Sequence, residues 1–154
     1  MDNRRAFLDM IAHSELGPAL LALSSNGYNV IVGSTPAKPL LFDSYADHPR
    51  RVVKIRPGLA SSAAGRYQLL ARYYDAYRKT LKLPDFSPDS QDTIALQQIK
   101  ECRALADIDA GRFDSAVAKC AHIWASLPGA GYGQHENKLA DLRAAYITAG
   151  GTLA

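Results

Sequence analysis

Asn3-Arg4-Arg5-Ala6-Phe7-Leu8-Asp9-Met10-Ile11-Ala12-His13-Ser14-Glu15 lies near the start of the chain and is followed at once by Leu16-Gly17-Pro18. Leu8, Ile11, Ala12 and Glu15 fall at i, i+3, i+4 and i+7, so residues 3–15 read as an amphipathic helix. The stripe expected to face the core therefore ends in a carboxylate. Burying that group costs several kcal/mol unless it is paired or stays protonated. Two readings of Glu15 stand side by side: an ion pair or cap for a neighbouring helix, or a general acid whose proton affinity is raised by an apolar pocket.

Downstream of Pro18 comes a loop rich in Leu, Ser, Asn and Gly, then the β-branched run Tyr28-Asn29-Val30-Ile31-Val32, closed by Gly33. Ser34 to Pro39 carries turn chemistry, and Leu40 to Tyr45 is expected to return as a second strand of a small hairpin. Residues 46–64 hold Pro49, Pro57, Gly58 and a Ser/Ala cluster, and read as a long, irregular, exposed loop of the kind that carries function. From Gly65 the pattern is helical. One helix is expected from about Arg66 to Leu81, with Leu69, Leu70, Tyr73, Tyr74 and Tyr77 inward. The next starts at Ser87-Pro88-Asp89, a cap, a first-turn proline and an acid favoured by the helix dipole, and turns Ile94, Ala95, Gln98 and Ile99 inward. Short helices follow near 103–110 and 113–124. Pro128 to Gly133 breaks the chain before a last helix over about 137–149. The expected architecture is α+β: a single domain over residues 1–154, with a small β element beside a helical body.

The chain has 154 residues, 47% apolar and 21% charged, enough for a core without staples. No apolar run is long enough to cross a membrane, and the N-terminal stretch does not match a secretory signal, so synthesis in the cytoplasm is expected. Cys102 and Cys120 lack metal-ligand spacing, and no disulfide, metal or cofactor is expected. The net charge is +3. Nucleic acid is set aside, because Arg72, Asp75, Arg78 and Lys79 read as the wet side of a core helix; the mild positive charge suits an anionic polymer such as the bacterial wall. Gly129-Ala130-Gly131-Tyr132-Gly133 follows no strand and lacks the lysine and hydroxyl of a phosphate loop. It is either a plain turn or a loop that brings Tyr132 to a ligand, where a flat ring with a hydroxyl suits a sugar. In Gly65-Arg66-Tyr67-Gln68, the glutamine is either a surface residue or an amide partner for an amide-bearing substrate. Asp47, before His48-Pro49, is expected to fix a turn.

Several blocks resemble the lambda-type phage endolysins: Phe7-Leu8-Asp9-Met10, Tyr28-Asn29-Val30-Ile31-Val32-Gly33, Asp47-His48-Pro49-Arg50, Gly65-Arg66-Tyr67-Gln68-Leu69-Leu70, Asp85-Phe86-Ser87-Pro88 and Ile123-Trp124-Ala125-Ser126-Leu127-Pro128-Gly129-Ala130-Gly131-Tyr132-Gly133-Gln134. The likeness runs through nearly the whole chain in order. It implies a lysozyme-like fold and lytic transglycosylation: cleavage of the β-1,4 bond between N-acetylmuramic acid and N-acetylglucosamine in peptidoglycan, with a 1,6-anhydromuramic end, for host cell lysis. It places the single catalytic glutamate on Glu15 and substrate contacts on Tyr28, Gly65, Tyr67, Gln68, Gln98, Tyr132 and Gln134. It further implies a monomer that inserts in no membrane and needs a holin-type lesion to reach the wall. This sequence departs from the pattern at Asn29, where the lambda protein has an aspartate, and in a longer Ser34–Leu41 connection. Alternatives are a hydrolytic muramidase acting on the same bond with water, a wall-binding module without turnover, or a helical interaction protein.

Overall fold

The computed structural model describes residues 2–133 and 135–154. It contains seven named α-helices among these residues: α1 (Asn3–Leu16), α2 (Pro18–Leu23), α3 (Ala71–Leu81), α4 (Pro88–Glu101), α5 (Leu105–Asp109), α6 (Phe113–Cys120) and α7 (Leu139–Thr148). Two antiparallel strands, β1 (Val53–Arg56) and β2 (Leu59–Ser61), complete the α+β inventory. The chain divides into two compact units, residues 1–15 with 95–154, and residues 16–94.

The first unit is built on α1. Ala6, Phe7, Leu8, Met10, Ile11 and Ala12 are all buried, so this helix is enclosed on most sides rather than along one stripe. Phe7 meets Phe113 edge-on at 6.0 Å, and Phe113 lies 4.7 Å from Tyr146 of α7. Asn3 ties the helix start to the chain's end: its amide nitrogen donates to the Ile108 carbonyl, and its oxygen accepts from the Thr152 N–H. Asp107 is a buried acid held by Arg112, Lys119 and Ser115, which bring its pKa down to about 2. Cys102 and Cys120 are free thiols.

The second unit packs Leu69, Tyr74, Phe86 and Ile94 around Ala64, with Phe42, Tyr77, Leu81 and Leu83 at its margin. His48 is buried against this cluster, 4.9 Å from the Phe86 ring. Its Nε2 must donate to the Leu69 carbonyl, and its Nδ1 accepts from the Arg50 N–H. One fixed acceptor and one fixed donor define a neutral imidazole, and burial lowers its pKa accordingly.

Four departures from the sequence reading have physical causes. The Leu-rich segment after Pro18 is the short helix α2, started by that proline at its first position. Residues 28–45 pair, but only through the bridge Val30–Leu41 and flanking bonds, because the turn between them is closed by Ser34 Oγ on both the N–H and carbonyl of Leu40. The regular strands lie instead inside residues 46–64, where Val53-Lys54-Ile55-Arg56 pairs with Leu59-Ala60-Ser61, with an irregularity between Lys54 and Arg56. Residues 66–70 are not helical: Gly65 N–H donates to Val30 O, Ala64 bridges both Ile31 and Leu69, and Gln68 has a left-handed φ of 52°. Helix α3 therefore starts at Ala71, and Tyr73 faces solvent beside Arg72 rather than the core. The helix at Pro88 matches its expected start, whereas α5, α6 and α7 are shorter than their periodicity suggests.

Gln91 organises this unit. It is buried on α4; its oxygen accepts from the Arg66 N–H at 2.9 Å, and its nitrogen donates to the carbonyls of Phe86 and Tyr28 at 2.9 and 3.0 Å. Gln91→Leu keeps the bulk but strands two buried backbone groups, of Arg66 and Phe86, at about 1–3 kcal/mol for each, and a part-buried one, of Tyr28. Thermal unfolding should show a clearly lowered Tm; an unchanged Tm would mean that the amide holds nothing.

Candidate active site

Glu15 lies in the last turn of α1, one residue before the helix ends. It is half-buried, and its carboxyl accepts a very short hydrogen bond from Ser126 Oγ together with a bond from the Ser126 backbone N–H. Burial raises its pKa, and the two Ser126 donors pull the other way without cancelling it. The negative end of the α1 dipole also disfavours ionisation there.

The donors come in series. Asn137 Nδ2 gives a hydrogen to the Ser14 carbonyl at 2.9 Å, which fixes the orientation of its amide. The same nitrogen lies 3.0 Å from Ser14 Oγ, so that hydroxyl accepts from Asn137 and its own proton is left for Ser126 Oγ, 2.8 Å away. Ser126 then donates to Glu15. Backbone bonding keeps the partners in place, since Asn137 N–H donates to Ser126 O.

The glycine loop beyond Pro128 belongs to the same unit. The Glu136 carboxylate accepts from the N–H groups of Gly129 and Gly131 at 3.0 Å each, and these bonds hold its pKa below the usual range. What resembles an anion cradle in the sequence is filled by the chain's own acid. Tyr132 is 53% exposed, and its hydroxyl donates to the His122 carbonyl, leaving the ring face open. Gln98 is buried on α4. Gln134 lies outside the described residues.

The remaining expected site residues lie in the second unit. Tyr28 and Tyr67 meet edge-on at 6.5 Å, and both hydroxyls donate to Asp92, at 2.9 and 2.6 Å. Arg66 covers both rings and donates to the Tyr67 hydroxyl and to Asn26 O. Tyr67 is buried, which together with Asp92 pushes its pKa far up. Gln68 is half-buried in its turn and donates to Gly65 O at 2.8 Å. Gly65 must be glycine for two reasons: its φ is 85°, and a Cβ would come within 2.4 Å of Gln91 Oε1 and 2.9 Å of the Phe86 ring. Asp47 does what turn chemistry suggests, accepting from His48 N–H while Arg50 bridges it to Asp75.

The chain matches the family described as Endolysin over residues 5–153. It belongs to the endolysin family. It is 54% identical over 153 residues to the endolysin of Escherichia phage lambda, covering 99% of this chain and 94% of that one. The endolysin of Escherichia phage P2 is 52% identical over 155 residues, covering 97% and 93%. Among solved structures, bacteriophage lambda lysozyme complexed with a chitohexasaccharide superimposes with a TM-score of 0.91, at 52% identity and 100% and 97% coverage. The lysozyme-like α+β fold read from the sequence is thus the observed one.

Ser126, Asn137, Asp92 and Gln91 escaped the sequence reading. Gln91 had a signal, since it precedes Ile94, Ala95 and Gln98 on one helical stripe. The others meet their partners only through long-range contacts.

The raised proton affinity of Glu15 makes a test of sign. A carboxyl that is easier to protonate when folded contributes fully below the unfolded glutamate pKa of about 4.3, and that contribution is lost as pH rises through the higher folded value. Glu15→Gln cannot ionise. Its Tm should equal the wild-type value in acid and exceed it increasingly toward neutrality; a gap that does not vary with pH would refute a buried, reluctant acid.

Proposed function

We propose that this endolysin is a peptidoglycan lytic transglycosylase in which Glu15 serves first as acid and then as base. The observation that carries the proposal is the Glu15 environment: a carboxyl made easier to protonate by burial, yet supplied with two donors ready for the anion. The chitohexasaccharide bound by lambda lysozyme supports a β-1,4-linked aminosugar strand as the substrate class.

Protonated Glu15 donates to the glycosidic oxygen that leaves as the GlcNAc hydroxyl. The muramoyl C1–O bond breaks, and C1 gains oxocarbenium character. The new carboxylate is held by Ser126, whose proton is aimed by Ser14 and Asn137. It then accepts the proton of the muramoyl C6 hydroxyl as that oxygen bonds to C1. Protons balance, no water is consumed, and a tethered nucleophile at high effective concentration removes the need for a second carboxylate. Ring faces at Tyr28 and Tyr132 and the amides of Gln68, Gln98 and Gln134 are the proposed sugar contacts; Gly65 and Tyr67 shape the turn that carries Gln68. A holin-type lesion is the proposed route to the wall, and a monomer the proposed working form.

Mass spectrometry of digested wall should find 1,6-anhydromuramic ends. Reducing muramic ends in their place would identify a hydrolytic muramidase instead. Glu15→Gln should lower turnover by at least ~100-fold, whereas Asp47→Asn should keep it, since that carboxylate is spent on His48 and Arg50. Ser126→Ala removes the hydroxyl donor to the anion and leaves the backbone N–H, so the alkaline limb of the rate profile should move to higher pH; a limb that stays put would show that the Ser126 hydroxyl does not set the proton affinity of Glu15.

A further inference from the structure

The β1–β2 hairpin carries a charge that neither the packing nor the proposed chemistry uses. Between Arg51 and Ala64 the sequence holds three cations, Arg51, Lys54 and Arg56, and no acid. All three are exposed, and among the described residues none has an ion-pair partner. Neighbouring Arg50 is the contrast, clamped between Asp47 and Asp75. Apolar surface lies among the cations: Val52 is 69% exposed and Ile55 44%. A folded hairpin that shows bare cations beside open apolar side chains offers both halves of a contact to an anionic, partly apolar chain.

Its place in the unit says which chain. Strand β2 ends at Ser61, Ser62 Oγ accepts from Ala71 N–H at the start of α3, and Gly65 opens the turn that carries Gln68. On the other side, Val53 and Ile55 lie against Gly33, at the end of the segment that begins with Tyr28. The hairpin thus adjoins, within one unit, both segments to which sugar contacts are assigned above. A glycan strand of bacterial wall differs from chitin in carrying stem peptides, whose alanine methyls and free carboxylates match this surface in polarity and sign.

We propose that the Arg51–Ser61 hairpin docks the carboxylates of peptidoglycan stem peptides, a neighbour to the sugar-binding residues that favours wall glycan over neutral chitin. This rests on the assignment of peptidoglycan as substrate.

The test is R51Q/K54Q/R56Q in the full chain, placed in the Glu15→Gln background so that binding is read without turnover. Three ligands serve as probes: peptide-bearing glycan strands, the same strands stripped of peptides by an amidase, and chitohexaose. Exposed ion pairs contribute little each, so the Kd for the peptide-bearing strands should rise by roughly ten-fold in all. Added salt should bring the parent variant's Kd toward that of the charge-removed variant, and binding of the other two ligands should not change. An equal loss on stripped strands would overturn the proposal by assigning the contact to the lactyl carboxylate. An unchanged Kd on peptide-bearing strands would overturn it outright. Failure of the peptidoglycan assignment registers separately, as no fragments of either kind released from peptide-bearing strands by the active chain.

Discussion

A carboxyl at the end of a buried helix is the constraint around which the first unit is arranged. Glu15 loses solvation and faces the negative end of α1. Apolar burial alone would give a good acid and a poor departure from it, because the carboxylate left behind would have no support. Ser126 offsets this with an O–H and an N–H aimed at the same carboxyl. The hydroxyl proton points that way because Ser14 and Asn137 leave it no better acceptor. Such hydroxyl chains reinforce each other in a low-dielectric setting. The loop after α6 and the start of the segment leading into α7 are thus fixed in position by the needs of one acid.

In the second unit the corresponding constraint is geometric. Gln91 reaches from α4 to three backbone groups on separate segments, and its oxygen occupies the space a Cβ on Gly65 would need. The glycine of Gly65-Arg66-Tyr67-Gln68 is therefore as much a requirement of Gln91 as of the turn. Asp92, one residue along, gathers Tyr28 and Tyr67. An acid with two phenols donating to it is engaged in holding rings.

How much of this was readable in advance depends on the range of the interaction. The helix of Glu15 and the helix begun by Ser87-Pro88 follow from local periodicity and capping, and both stand where the pattern put them. The strand pair did not follow, because Val53–Arg56 is short, highly exposed and next to Pro57-Gly58, so it carries almost no burial pattern. Residues 66–70 read as helix since Leu69 and Leu70 extend the period of α3, yet the bridge from Leu69 to Ala64, itself bridged to Ile31, overrides that propensity. One helix was enough to single out Glu15 as a carboxyl on a core-facing stripe; its serine partner, 111 residues away, could emerge only from the folded chain.

The distribution of charge separates two kinds of electrostatic work. Charges that matter inside are matched or neutral: Asp107 is held by two cations and a hydroxyl, His48 is fixed as the uncharged tautomer, and Glu15 is pushed toward its protonated form. The hairpin cations, without ion-pair partners among the described residues, lie instead at the surface, where water screens them and desolvation costs nothing until a ligand arrives. A carboxyl that is kept easy to protonate gains from this division. A cation beside Glu15 would stabilise its carboxylate and lower the proton affinity that burial raises.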